Sequence, residues 1–218
     1  MNKIGFIFDL DGVIVDTAKY HYLAWKKLAD DLGIPFTQSD NELFKGVSRK
    51  RCLELLLEMG HKKATQSQID AWLIEKNEDY LQYINQMDAS EILPDVPKVL
   101  NYLKGNNIPM ALGSASKNAR PILEKVHLLC YFDTIVDGNE VTKAKPDPEV
   151  FLKAAHQLGV APEDCVVFED ALAGIEAANT AGMVSVGIGD SEVLRAAKFN
   201  FHNFKEINID FLKELIHH

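Results

Sequence analysis

The sequence predicts an α/β protein: a doubly wound parallel-sheet (Rossmann-like) core with an inserted helical cap domain. Three observations carry this. Ile4 to Phe8 is a short, branched and aromatic run, the pattern of a strand buried on both faces, and Asp9, Asp11 and Gly12 follow it directly. Between residues 17 and 89, stretches of helical periodicity follow one another with no strand between them. From Leu93-Pro94 onward, helical and apolar strand-like stretches alternate. The expected division is 1–16 and 90–218 for the core and 17–89 for the cap.

After the first strand, residues 18 to 33 read as a helix, with Ala24, Trp25, Leu28 and Leu32 on one face and Gly33 as the stop. Ser48 is placed to cap a second helix through Cys52, Leu53, Leu56 and Leu57 to Gly60. Ile69, Trp72, Leu73, Tyr80, Ile84 and Met87 mark a third. In the core, Val96 to Lys104 reads as a helix and Pro109 to Gly113 as a strand, followed by the polar turn Ser114-Ala115-Ser116-Lys117-Asn118. A helix through Ile122, Leu123 and Val126 comes next, then the strand Thr134 to Val136 and the segment Lys143-Ala144-Lys145-Pro146. Glu149 to Leu158 is a helix, Cys165 to Phe168 a strand ending in Glu169-Asp170, and a helix through Ile175 and Ala178 precedes the strand Met183 to Ile188. Phe199 to Phe204 is ambiguous between an edge strand and irregular chain, and Asp210 to Ile216 closes the reading as a helix.

The bulk properties narrow the function. A chain of 218 residues, 47% hydrophobic and 25% charged, has the composition of a globular protein with a substantial core. A net charge of −9 argues against nucleic acid but leaves phosphorylated small molecules open, because local cations outweigh a diffuse negative field. Cys52, Cys130 and Cys165 have no short metal-ligand spacing and are odd in number, the usage of reduced thiols. No charged leader with an apolar stretch opens the sequence, and no apolar run reaches membrane-spanning length. The expectation is a cytoplasmic monomer acting on small molecules, without membrane partners.

In a parallel sheet the carboxyl ends of the strands share one edge, so polar residues that follow each strand gather there. The first strand contributes Asp9 and Asp11, the second Ser114, the loop after the third Lys145, and the fourth Glu169 and Asp170. Taken singly, a serine after a strand is ordinarily a helix cap and a lysine before proline is ordinarily solvated. Four strand ends with complementary chemistry point to a site.

The run Asp9-Leu10-Asp11-Gly12-Val13 resembles the signature of the haloacid dehalogenase-like hydrolases, and similarity runs over nearly the whole chain. That resemblance implies phosphoryl transfer, with Asp9 as the phosphoryl-accepting nucleophile and Asp11 as the general acid and base. Mg²⁺, which takes oxygen ligands and keeps several waters, would be held by Asp9, Asp170 and Glu169, with a backbone carbonyl near Asp11. Lys145 and the Ser114 hydroxyl suit the charge on the transferring group.

The segments Asp16-Thr17-Ala18-Lys19-Tyr20-His21-Tyr22-Leu23-Ala24-Trp25 and Lys45-Gly46-Val47-Ser48-Arg49 resemble the sugar-phosphate mutases of that family. The resemblance implies interconversion of β-glucose 1-phosphate and glucose 6-phosphate through a bisphosphate. It gives Arg49 and the turn Ala115, Ser116, Lys117 and Asn118 to the second phosphate, and Lys45, Gly46, Val47 and Ser48 to the sugar. It also implies a relay of His21 and Lys76 to the acid/base carboxylate, with Trp25 beside it and Thr17 at the hinge. Each has a plainer reading: Thr17 as a helix cap, His21 as a packed histidine, Arg49 as a solvated cation. Arg49 at a helix start opposes the dipole, which favours a functional role. Two positions depart from the pattern: Cys52 where a hydroxyl residue is common, and Gly113 before Ser114 where alanine is usual.

A phosphosugar phosphatase on the same scaffold competes with this reading. So does a signalling receiver with an Asp, a metal and a Lys, although a receiver needs neither the insertion nor Asp11.

Overall fold

The computed structural model describes residues 3–217. Six parallel strands form one sheet in the order β3-β2-β1-β4-β5-β6: β1 (Gly5–Phe8), β2 (Met110–Gly113), β3 (Thr134–Val136), β4 (Cys165–Glu169), β5 (Val184–Ile188) and β6 (Phe199–Phe201). β1 pairs with β2 on one side and β4 on the other, so the chain order runs outward in both directions from β1. That reversal is where an open α/β sheet leaves a crevice beyond its strand ends.

Alternation along β1 explains the two layers of helix. Phe6 and Phe8 point into a cluster with Val99, Leu100 and Leu103 of α5 (Val96–Gly105), Ile122 of α6 (Ala119–Lys125) and Leu212 of α9 (Ile209–His217). Ile7 points the other way, toward Phe151 and Ala154 of α7 (Glu149–Leu158) and Ala177 and Ala178 of α8 (Leu172–Thr180). A strand buried on both faces must be apolar throughout, and β1 is.

The stretch between β1 and α5 holds α1 (Ala18–Asp31), α2 (Gln38–Asn41), α3 (Arg49–Met59) and α4 (Gln66–Ile84), with no strand among them. They enclose a separate core of Trp25, Leu28, Phe36, Phe44, Leu53 and Leu56. The chain crosses between the two cores side by side: Asp16 N–H donates to the Glu91 carbonyl at 2.9 Å, and Leu93 N–H to that of Ile14 at 3.0 Å. No helix among the described residues is long and apolar enough to cross a membrane.

Two details differ from the sequence reading. Five strands, not four, follow the helical stretch, because Phe199–Phe201 pairs with β5 at the sheet edge. α2 was not foreseen; four residues are too few for periodicity, and its signal is the capping box between Thr37 and Asp40.

Candidate active site

Asp9 follows β1 and is 5% exposed. The Lys145 ammonium, from the loop between β3 and α7, lies 2.5 Å from Asp9 Oδ1 and 2.9 Å from Glu169 Oε2. Ser114, just past β2, is buried, and its Oγ accepts the Ser116 N–H at 3.1 Å. Carboxylate oxygens of Asp9, Glu169 and Asp170 lie within 4.8 Å of one another, a donor set fit for a hard divalent cation. Gly12 makes the crowding possible: its φ is +81°, and a Cβ there would stand 2.2 Å from Asp170 Oδ2.

The charges in this cluster are unbalanced. Burial first, and Asp9 second, push the Asp170 carboxyl up to about 7. A group that clings to a proton in this way suits a site where a divalent cation takes the proton's place. Burial also works against a charged Lys145, but Asp9 and Glu169 overcome it and hold the ammonium well above its ordinary value. Glu169 Oε2 is engaged by Lys145 and Oε1 accepts the Ala171 N–H at 3.3 Å, which leaves Asp9 and Asp170 as the freer ligands.

The Asp11 carboxylate lies outside that trio. It accepts a hydrogen bond from the Thr17 hydroxyl and stands 3.7 Å from His21 Nε2. His21 Nδ1 meets Lys76 Nζ at 2.9 Å, and that ammonium sits 4.8 Å from the ring centres of both Trp25 and Tyr80. Burial, then Arg49, brings Lys76 down to about 7, and burial with Lys76 drives His21 well below its ordinary value, so the imidazole is neutral. Burial followed by Asp9 raises Asp11 to about 6, against a lowering by Thr17.

One cavity of about 720 Å³ takes in Asp9, Asp11, Ser114, Lys145 and Asp170 from the sheet edge and His21, Trp25 and Lys76 from α1 and α4. The loop Lys45-Gly46-Val47-Ser48-Arg49 and the turn Ala115-Ser116-Lys117 line the same space. Gly46, at φ +72°, brings its backbone so near the core that a Cβ would lie 3.0 Å from that of Ala171. Thr17 and Glu169 are fully buried behind the wall. The Asn118 side chain donates to Asn77 Oδ1 at 3.1 Å. Asn77, Thr142 and Lys143 also line the cavity and were missed by sequence reasoning. Asn77 follows Lys76 directly, a proximity that was available as a signal. Cys52 lies in the wall with its thiol 3.5 Å from the Phe44 carbonyl.

A family model described as haloacid dehalogenase-like hydrolase matches residues 5–182, a span that contains every strand end just described. The chain belongs to the haloacid dehalogenase-like hydrolases. Within that family it is similar to the β-phosphoglucomutase of Bacillus subtilis, 41% identical over 210 residues, which covers 95% of this chain and 93% of that protein. The phosphorylated carbohydrates phosphatase of Thermotoga maritima is 33% identical over 182 residues, 81% of each chain. The crystal structure of a β-phosphoglucomutase from Clostridium difficile matches with a TM-score of 0.94 at 40% identity, over 99% of this chain and 97% of that one. The acidic cluster of Asp9, Glu169 and Asp170 lies within the matched span, and its oxygen donors suit a divalent metal.

Proposed function

We propose that this haloacid dehalogenase-like chain interconverts β-D-glucose 1-phosphate and glucose 6-phosphate, through an aspartyl phosphate on Asp9 and β-glucose 1,6-bisphosphate, with Mg²⁺ as the metal. The observation that carries the reading is one cavity lined both by Asp9 and Asp170 and by Arg49, Ser116 and Lys117. A volume of about 720 Å³ is in the range of small-molecule sites and accommodates a hexose with a phosphate at each end. The β-phosphoglucomutases similar to this chain support the same substrate.

The roles follow from chemistry. Asp9 attacks phosphorus, and the bond to the sugar oxygen breaks as the bond to Oδ forms. Asp11, pushed to about 6, gives its proton to that leaving oxygen and takes one from the hydroxyl attacking in the return step. Lys145 and the Ser114 hydroxyl face the equatorial oxygens of the transferring group. A divalent cation at Asp9 and Asp170 adds Lewis-acid neutralisation of the phosphoryl charge. Neutral His21, its Nε2 3.7 Å from Asp11 Oδ1, packs beside that carboxyl and orients it, supported by Lys76. Residues 17–89 act as the cap on a core of 1–16 and 90–218, closing over the aspartyl phosphate to exclude water.

Arg49 is the residue that distinguishes mutase from phosphatase. It is half-buried, and among the described residues no carboxylate pairs with it. A bidentate guanidinium contact to the second phosphate is worth about 1.5–3 kcal/mol, so Arg49→Ala should lower mutase turnover roughly 10- to 100-fold. Hydrolysis of the phosphoenzyme should hardly change, since water needs no distant grip. A coupled assay with α- and β-glucose 1-phosphate, run beside phosphate release, measures both. Free phosphate at the turnover rate in wild type favours a phosphosugar phosphatase, the reading that the Thermotoga maritima relative supports, whereas equal loss of the two activities in Arg49→Ala assigns Arg49 to the fold and not to the substrate.

A further inference from the structure

Lys145 reaches the reaction centre from an irregular segment. Residues 137–148 between β3 and α7 form no helix or strand, yet Lys145 Nζ is held at 2.5 Å from Asp9 and 2.9 Å from Glu169. A buried ammonium placed this closely needs a backbone that does not drift.

The backbone at Thr142 and Lys143 is tied by the Glu149 side chain. Glu149 Oε2 accepts hydrogen bonds from the Lys143 N–H at 2.7 Å, the Thr142 N–H at 3.0 Å and the Thr142 hydroxyl at 2.9 Å. Glu149 Oε1 is paired with the Lys153 ammonium at 2.6 Å, one turn along α7. On the far side of Lys145, the Glu149 N–H donates to Asp147 Oδ1 at 3.0 Å, and the Asp147 N–H to the Ala144 carbonyl at 3.0 Å. The chain is therefore fastened just before and just after Lys145 from outside, while Thr142, Lys143 and Ala144 face the cavity from inside. An acid in the first turn of a helix ordinarily serves the helix dipole alone. Here the carboxylate is turned onto the neighbouring loop.

We infer that Glu149 is a positioning residue for phosphoryl transfer: it fastens the 142–144 backbone and thereby sets Lys145 against Asp9. The inference rests on the aspartyl-phosphate reading of this site. Hydrogen bonding to Lys153 and to the Lys143 N–H draws the Glu149 carboxyl down to about 2, so it remains a charged acceptor at every working pH. A glutamine keeps one acceptor oxygen but loses the charge and the Lys153 pair.

The test is a double-mutant cycle on the full-length protein with Mg²⁺, reading single-turnover phosphorylation of Asp9 by β-glucose 1,6-bisphosphate. Glu149→Gln alone should slow the step on the order of 10- to 100-fold, the cost of a small misplacement of a reacting group, with the half-saturating concentration little changed. In a Lys145→Ala background the same substitution should change the rate by less than about twofold, because no ammonium remains to be misplaced. Lys153→Ala spares the hydrogen bonds that Glu149 accepts from residues 142 and 143 and, of those to the loop, removes only the one from Lys153 to the Glu140 carbonyl, at 2.6 Å; it should stay within about twofold of wild type. Equal losses in both backgrounds, or a wild-type rate in Glu149→Gln, overturn the inference. The crystal structure of Glu149→Gln gives a readout independent of turnover: Nζ should leave Asp9 by roughly an ångström, and an unmoved Lys145 overturns the inference. A wild-type chain that never phosphorylates Asp9 counts against the proposed function, and the structural readout then decides on Glu149.

Discussion

Asp9 and Asp11 stand two positions apart at the end of the same strand, and their surroundings differ in a way that suits the two proposed roles. Asp9 meets an ammonium and lies among carboxylates; Asp11 meets a hydroxyl and a neutral imidazole. Burial, then Asp9, lifts Asp11 to about 6, the region where a carboxyl is useful both as acid and as base. A cation at Asp9 offsets the second contribution and leaves the first. With Asp11 as the proposed general acid, transfer from a sugar bisphosphate draws on its protonated form, so the rate of Asp9 phosphorylation should decline as pH rises through about 6. Acetyl phosphate, whose leaving group needs no proton, should show no such limb. Asp11→Asn should lose roughly two to four orders of magnitude with the sugar donor and little with acetyl phosphate. An identical pH profile for both donors would sink the acid/base role. Asp9→Asn should abolish phosphorylation with either donor, and phosphate trapped on another residue would refute the nucleophile.

Between the helical stretch and the sheet, two crossing segments and one cluster carry the connection. The Glu91 carboxylate accepts from Lys19 and from the Tyr20 hydroxyl, each at 2.6 Å, which ties the start of α1 to the returning chain. Tyr20 in turn stacks on Tyr83 of α4 with ring centres 5.5 Å apart. Lys19 is about half-exposed, so Glu91→Gln should cost on the order of 1 kcal/mol of stability. Its larger effect should be faster amide exchange at residues 14–17 and 90–93; unchanged exchange there would show that the backbone pairing alone holds the crossing. At this scale the sequence was most legible where periodicity was long. α1, α3 and α4 carry whole turns of apolar spacing, and the strands β1, β2, β4 and β5 are apolar runs before polar ends. Short pieces were not legible: β6 is three residues on an edge, half-wet, and gives no clean alternation. The candidate site was legible through its strand ends, because chain topology alone brings them together. Its supporting contacts were not. Nothing in the spacing links Glu149 to the Thr142 amide or Asn77 to Asn118, since those depend on loop paths that local propensity leaves open.

Taken whole, the molecule carries −9, yet seven lysines and arginines line the cavity against four carboxylates, Asp9, Asp11, Glu78 and Asp170. The fold concentrates charge of both signs where it is least solvated, so its stability depends on pH and on cations there. In the metal-free protein, Asp11 and Asp170 are raised from 3.8 to about 6 and about 7. Between those limits the native state binds more protons than the unfolded chain. These two groups therefore favour the native state most below pH 4, and that contribution is lost as pH rises through 6 to 7, opposite to an ordinary salt-bridged carboxylate. A divalent cation reverses the trend, because it competes with the proton on Asp170 and binds more tightly as that proton leaves. The increment in melting temperature produced by millimolar Mg²⁺ over EDTA should accordingly grow from pH 5 to pH 8. Asp170→Asn removes the carboxyl without emptying its space. It should melt higher than wild type in EDTA at pH 8 and gain much less from Mg²⁺. Differential scanning fluorimetry of the two proteins across this range checks both signs. A Mg²⁺ increment independent of pH, or one that survives intact in Asp170→Asn, would mean that the cation is held elsewhere than at the Asp9–Asp170 edge of the cavity.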